Sequence, residues 1–211
     1  MDCQLKSATN YLAKLIFGVL LGVLSVQSGW AAPAAELWPK WNASDESNTR
    51  EIDHSAWAEL LKQYVTFTEM PTATRFDYQA VTSGDKAKLK KYLSQLQDTP
   101  ILQYSKAEQV AYWINLYNAV TVKLILDHYP VASIRDIKFG FFSFGPWNEK
   151  LITVSGETLS LNDIEHRILR PIWKDNRIHY AVNCASVGCP DLAPKPYTAA
   201  NTESLLQQGA R

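Results

Sequence analysis

The 211-residue chain is poor in cysteine, with three residues in all, and has no excess charge, since 21 basic residues balance 21 acidic ones. It lacks a basic run that would suit nucleic acid and an acidic tail that would suit a basic partner. A P-loop, a dinucleotide-binding glycine fingerprint, a Gly-x-Ser-x-Gly elbow and a His-Glu-x-x-His motif are also missing. The sequence therefore gives no support to nucleic-acid, nucleotide or serine-hydrolase functions, and predicts no cofactor.

The first 31 residues have the three parts of a secretory signal peptide. Lys6 and Lys14 make the start weakly positive, residues 15–26 carry no charge, and Gly29 and Ala31 are the small residues that a signal peptidase needs. The apolar run is about a dozen residues, whereas a membrane-spanning helix needs about 20. We expect cleavage at or shortly after Ala31, export to the periplasm or outside the cell, and no stable membrane span afterwards. An uncleaved anchor is the alternative.

Cleavage would remove Asp2, Lys6 and Lys14, which leaves 19 basic and 20 acidic residues, and would also remove Cys3. The mature chain then keeps two cysteines, Cys184 and Cys189. In an exported protein an even pair of cysteines is a candidate disulfide. The leader therefore decides how the cysteines are interpreted.

Residues 32–52 have no periodicity and are interpreted as a linker or irregular strap, with Trp38 and Trp41 packing on a single domain of residues 53–211. Two amphipathic helices follow, one with its apolar face at Trp57, Leu60, Leu61, Tyr64 and Val65, the other at Leu89, Tyr92, Leu93 and Leu96.

A third helix is predicted between Ser105 and Pro130. Ser105 and Glu108 have the spacing of a capping box, and residues 110–125 are apolar almost all round, which is typical of a central buried helix. Asn115 and Asn118 lie three apart on it and share a face. Their amides either bond neighbouring backbone or orient a site.

The second half mixes strand and helix signals. Residues 151–161 predict a β-hairpin that turns at Gly156, and a helix capped by Ser160 follows from residue 161 to 169, stopped by Pro171. Residues 178–182 alternate in polarity, which predicts a strand leading into Cys184. The fold is predicted as a helix-rich α+β domain with a small antiparallel sheet and a central buried helix. The last helix begins near Asn201 and runs to the end without a usual stop signal, so we expect the C-terminus to be incomplete.

Several segments together resemble the domain-of-unknown-function family 547. They are residues 183–190 (NCASVGCP), 160–170 (SLNDIEHRILR), 115–119 (NLYNA), 128–130 (HYP) and 177–181 (RIHYA). The resemblance runs from about Ala56 to the end of the chain. It implies an uncharacterised activity, and the family pattern continues past residue 211, which adds to the expectation of truncation.

One hypothesis for the cysteine motif is a nucleophile. A thiolate of Cys184 would need a base within hydrogen-bond reach and a group to orient that base. His166 is the first candidate base and His179 the second, while Glu165 or Asn118 would orient it. The protein would then be a hydrolase or acyl transferase with a pocket that Asn115, His179 and Arg170 also line. The alternative for Glu165 is a structural salt bridge to Arg167 or Arg170.

Two further hypotheses compete with the nucleophile. A Cys184–Cys189 disulfide would staple a non-catalytic binding or structural domain, which leaves open whether the protein is an enzyme. A zinc site made by His166, His179 and both cysteines is the weakest hypothesis, because its spacing matches no zinc motif. No metal and no particular partner is predicted.

Overall fold

The computed structural model describes residues 34–68, 73–140, 145–185 and 188–211, so the predicted leader lies outside the described residues. The predicted fold class is confirmed: helices dominate, and the strands form two small antiparallel sheets. The first helix, α1 (Ser55–Tyr64), and the second, α2 (Ser83–Asp98), bury the apolar faces expected from the sequence. Val65 was assigned to α1 wrongly, because the chain becomes extended there and starts a strand.

The third helix, α3 (Lys106–His128), is the centre of the core, as predicted. The hydroxyl of Ser105 accepts a hydrogen bond from the Glu108 backbone N–H at 3.4 Å, which caps the helix. The Glu108 carboxylate is bound by the backbone N–H of Ile52, so this residue also ties the preceding segment to α3. No helix among the described residues combines the length and the apolar character needed to cross a bilayer.

Two hairpins replace the single sheet that the sequence suggests. Strands β1 (Val65–Thr68) and β2 (Ala73–Phe76) pair antiparallel, and so do β3 (Ile152–Val154) and β4 (Glu157–Leu159), the hairpin predicted from sequence. Ser155 and Gly156 between β3 and β4 both have positive φ, at 46° and 81°. A two-residue turn with both φ angles positive matches the twist of paired strands, which explains the glycine.

The helix predicted after the second hairpin is mostly a π-helix, Asp163–Leu169, and an α-helical turn, α4 (Arg170–Trp173), continues it. Its predicted cap is present, since the Ser160 hydroxyl accepts from the Asp163 N–H and the Asp163 carboxylate accepts from the Ser160 N–H. Pro171 was wrongly expected to end the helix. It lies in the first turn of α4, where a missing N–H and a fixed φ are tolerated.

The strand predicted at residues 178–182 is also wrong, because this segment is a 3₁₀-helix, Asn176–Tyr180. The side chain of Asp175 accepts from the Arg177 N–H and starts the turn, an alternative that the backbone can take instead of a strand. Ile178 and Ala181 are buried three positions apart, which is the spacing of a 3₁₀-helix. The last helix, α5 (Thr202–Gly209), begins where predicted.

Residues 34–54, which we call the strap, precede α1 and contain one short 3₁₀-helix, Pro39–Asn42. Trp41 is fully buried, and its ring lies edge-on to that of Trp113 in α3 at 5.1 Å between centroids. The backbone N–H groups of Glu36 and Trp38 donate to the carbonyls of His166 and Arg167, each at 3.0 Å. In an α-helix the carbonyl of Arg167 would accept from residue 171, which is a proline without an N–H. The strap thus satisfies a carbonyl that the proline leaves free.

Candidate functional site

Cys184 and Cys189 are joined by a disulfide, with their Cα atoms 5.9 Å apart. The disulfide predicted from sequence is therefore present in the structure. Asn183, just before it, holds the loop from inside: its Oδ1 accepts from the Ala185 N–H at 2.9 Å, and its Nδ2 donates to the Pro190 carbonyl at 2.6 Å. Gly188 has φ 91°, a conformation that favours glycine. We call residues 183–190 the disulfide loop.

The two asparagines of α3 clamp backbone, which is the simpler of the two roles considered for them. Asn118 donates to the Ala181 carbonyl at 2.9 Å and accepts from the Asn183 N–H at 2.8 Å. Asn115 does the same to the carbonyl and N–H of Tyr197, at 2.7 and 3.0 Å. Both amides are buried and use an acceptor and a donor. Asn118 thereby connects the central helix to the start of the disulfide loop.

The other predicted residues gather on the π-helix and the 3₁₀-helix that follows it. Arg170 donates to Oε1 of Glu165 through both Nε (3.0 Å) and Nη2 (2.7 Å), and its Nη2 also lies 3.1 Å from Nδ1 of His179. Oε2 of Glu165 is 3.8 Å from Nε2 of His166. We call Glu165, His166, Arg170 and His179 the cavity cluster.

The π-helix makes the Glu165–Arg170 pair possible. The two residues are five apart, and at about 100° per residue an α-helix would place them about 140° apart around its axis. A π-helix instead bonds residues five apart, and the Arg170 N–H donates to the Glu165 carbonyl. This brings both side chains to one face. Arg167, the other partner considered for Glu165, instead pairs with Asp163 at 3.1 Å.

His166 is enclosed by the protein. Its side chain is buried, and its Nδ1 has no hydrogen-bond partner among the described residues. Burial lowers the pKa of His166 from its ordinary value, with the charge of Arg170 adding to this and that of Glu165 opposing it. Burial therefore favours the neutral form of the ring.

The structure brings Glu165, His166, Arg170 and His179 together but does not connect them to the cysteines. Among the described residues, no hydrogen bond or ion pair links the cavity cluster to Cys184. Neither cysteine has a free thiol, because both sulfur atoms are in the disulfide. A Cys₂His₂ zinc site would need both as thiolates. Within the described ranges, no group of three or more metal-binding side chains is present.

A cavity of about 550 Å³ opens beside Arg170 and His179. Its wall comes from the strap, from α4 with the residues after it, and from the 3₁₀-helix Asn176–Tyr180. The lining residues are Ala35, Leu37, Arg170, Pro171, Lys174, Asp175, Asn176 and His179. A volume of this size is in the range of small-molecule sites.

Comparison with models of protein families gives a match. Residues 101–211 match the model described as "Protein of unknown function, DUF547". The chain belongs to the DUF547 family. No curated protein and no solved structure matches it. The resemblance carried by the sequence motifs is thus confirmed over residues 101–211, and the match begins later than the expected start near Ala56.

The DUF547 match covers α3, the cavity cluster and the disulfide loop, whereas the strap, α1 and α2 precede it. Ala35 and Leu37, which line the cavity, therefore come from outside the matched region.

Sequence reasoning missed several residues of this site. Ala35, Leu37, Lys174 and Asn176 stand in segments without a motif, so no sequence signal marks them as cavity residues. Tyr117 lies between Asn115 and Asn118 in the segment NLYNA, and its place in this family motif could have marked it as a candidate residue. It is buried, and burial raises its pKa, with the nearby Glu165 carboxylate adding to the rise.

Proposed function

We propose that this DUF547 protein is an exported, disulfide-stapled binding domain whose ligand occupies the cavity beside Arg170 and His179. One observation carries the proposal: Arg170 and His179 of the cavity cluster line a cavity, while Cys184 is engaged in a disulfide that has no polar link to the cluster among the described residues. Of the two functions that the sequence suggested, this favours the binding domain over the cysteine-dependent hydrolase or acyl transferase.

Export is part of the proposal. The leader pattern supports it, and so does the disulfide, since such bonds persist in oxidising compartments and are rare in the cytosol. In the periplasm or outside the cell, Cys184 and Cys189 would remain paired without a reductant.

Roles for the cavity cluster follow from its geometry. Arg170 and His179 line the cavity and would contact the ligand. Glu165 holds Arg170 through two hydrogen bonds, which fixes the guanidinium plane. Buried and neutral, His166 would act as a positioning residue beside Glu165. Asn118 and Asn115 would have structural roles, because both side-chain groups of each are used by backbone.

Thiol counting under denaturing conditions tests the proposal on the full chain expressed with its leader and recovered from the periplasm. The chain has three cysteines, one of them, Cys3, in the predicted leader. We expect no free thiol, which requires both leader removal and the Cys184–Cys189 disulfide. One free thiol would mean that the leader is retained, which would contradict cleavage. Two or more would mean that the disulfide is not formed.

The competing enzyme hypothesis has its own test in the same preparation. We expect iodoacetamide to leave native protein unmodified at Cys184, and p-nitrophenyl acetate hydrolysis to equal that of the Cys184→Ser/Cys189→Ser double variant. Fast alkylation of Cys184 near neutral pH, with parallel loss of esterase activity, would replace the binding domain by a cysteine-dependent hydrolase.

A further inference from the structure

The acidic groups around the cavity already have partners. Asp175 accepts from Arg177 through both carboxylate oxygens: Oδ1 is 3.0 Å from Nε, and Oδ2 is 2.7 Å from Nη2. Glu165 accepts two hydrogen bonds from Arg170. Arg177 is further held by Glu203 of α5. The cavity therefore offers little free acceptor capacity from its carboxylates.

Several donor groups of the same cavity make no hydrogen bond among the described residues. Lys174, which lines the cavity, has no ion-pair partner among the described residues. Arg170 bonds Glu165 and His179 through Nε and Nη2, which leaves Nη1 free of any described bond. A guanidinium only donates, so Nδ1 of His179 accepts from it, and the proton of the neutral ring lies on Nε2 as a further donor.

Lys174 differs from the other charged side chains of the cavity wall in its pairing. Arg170 pairs with Glu165, and Asp175 pairs with Arg177, whereas the ammonium group of Lys174 has no ion-pair partner among the described residues. Its backbone is fixed by the left-handed φ of 52° and by the N–H bond to the Arg170 carbonyl, at 3.0 Å. This conformation and this hydrogen bond hold the Lys174 backbone at the end of α4, beside Arg170.

Apart from Asn176, the remaining wall is apolar. Ala35 and Leu37 of the strap and Pro171 of α4 contribute it, and about 550 Å³ is more than a bare inorganic ion would fill. We propose that the cavity takes a small organic anion, a carboxylate or phosphate carried on an apolar body. Lys174, Arg170 and His179 bind the charged group, and the strap residues pack on the body. This inference rests on the proposed function and specifies its ligand.

A set of probes that share a phenyl ring separates the effect of charge from that of the apolar body. Benzoate and phenyl phosphate carry the anion on the same ring, benzamide is the neutral counterpart, and benzylamine is the cationic one. Each is titrated into the ¹⁵N-labelled mature chain at constant ionic strength, and amide shifts are followed by NMR. We expect saturable shifts at the amides of Lys174, Asn176 and His179 with the anions, and at least about tenfold weaker binding of benzamide and benzylamine. Comparison of benzoate with phenyl phosphate shows which anionic group the cavity prefers.

Matched variants locate the site. Lys174→Gln removes the charge and should weaken anion binding about tenfold, because a charge-assisted hydrogen bond is lost. Lys91→Gln makes the same change at an exposed lysine of α2 that does not line this cavity, and should leave binding unchanged. His179→Ala should weaken binding as well, since it removes the Nε2 donor. Circular dichroism melting checks that each variant is folded.

The outcomes separate the two proposals. Anion binding that Lys174→Gln leaves intact, or that Lys91→Gln weakens equally, overturns the anion site. Saturable binding of benzamide or benzylamine at the same amides, as tight as that of benzoate, overturns the anionic ligand but keeps the cavity as a binding site. If no probe shifts these amides while the disulfide is intact, the anion inference fails, and the binding function proposed for this cavity loses its support.

Discussion

The disulfide loop and the cavity cluster lie in the same family-matched half of the chain, yet their polar groups are used differently. In the loop, the amide of Asn183 is bonded on both sides, Asn118 holds its backbone, and a covalent bond closes it. In the cavity cluster, Nδ1 of His166 has no described partner and Nη1 of Arg170 makes no described bond, and the neighbouring Lys174 on the cavity wall has no described ion-pair partner. Saturated hydrogen bonding suits a structural element, whereas unused donors beside a cavity suit a binding site.

Asn118→Ala should have the largest effect, because it breaks the link between α3 and the disulfide loop. It leaves the buried Ala181 carbonyl and the Asn183 N–H without partners, so we expect the free energy of unfolding to fall by about 3 kcal/mol in urea titrations. Asn42→Ala, at an exposed position whose side chain makes no hydrogen bond among the described residues, is the matched control, with a change within about 0.5 kcal/mol. Equal effects of the two variants would show that the clamp does not stabilise the loop.

Glu165→Gln tests the cavity cluster in the same way and should cost less. The pair with Arg170 is partly buried, and the glutamine keeps an acceptor but loses the charge, so we expect a loss of about 1–2 kcal/mol by urea unfolding. Glu203→Gln breaks a pair with Arg177 in which Glu203 is 75% exposed, and such pairs contribute less than about 1 kcal/mol. A larger loss from Glu203→Gln than from Glu165→Gln would refute the role given to the π-helical pair.

The pH dependence of stability should show the smallest difference and should belong to the cavity cluster. Burial lowers the pKa of His166 in the folded state, so below the unfolded value near 6.5 the unfolded chain binds more protons and the folded state loses stability as pH falls. His166→Gln should make the decline between about pH 7 and pH 5 shallower.

His54 provides an internal reference for that measurement, since it lies outside both regions. Burial lowers its pKa to about 4, and it shares a 2.7 Å hydrogen bond with Tyr92, so it destabilises the fold in the same direction on acidification. A residual decline should therefore persist in His166→Gln. An unchanged slope in that variant would mean that His166 does not contribute.

Features set by neighbouring residues were predictable. The N-caps at Ser105 and Ser160 depend on spacings of three, the apolar run of α3 marks a central helix, and the glycine turn marks the second hairpin. The full capping box forms at Ser160, whereas the Glu108 carboxylate accepts from Ile52 and not from Ser105. The disulfide was predictable too, from an even pair of cysteines in a chain whose first 31 residues predict export.

The failed predictions show where local patterns stop being sufficient. Alternating polarity at residues 178–182 suggested a strand, but one hydrogen bond from the Arg177 N–H to Asp175 turned the chain into a 3₁₀-helix. Pro171 suggested a helix end, but the Trp38 N–H of the strap binds the Arg167 carbonyl that the proline cannot serve. In both cases a hydrogen-bond partner, and not the polarity pattern, decided the conformation.

By itself, the sequence determined the central helix, the second hairpin, the disulfide and the family, because caps, periodicity and cysteine spacing act over a few residues. Only the tertiary structure decided that Glu165 and Arg170 share a face, since the π-helix has no sequence signature of its own here. It also decided the cavity, whose walls come from residues 35–37 and 170–179. A cavity exists only where such distant segments meet, so no local pattern encodes it.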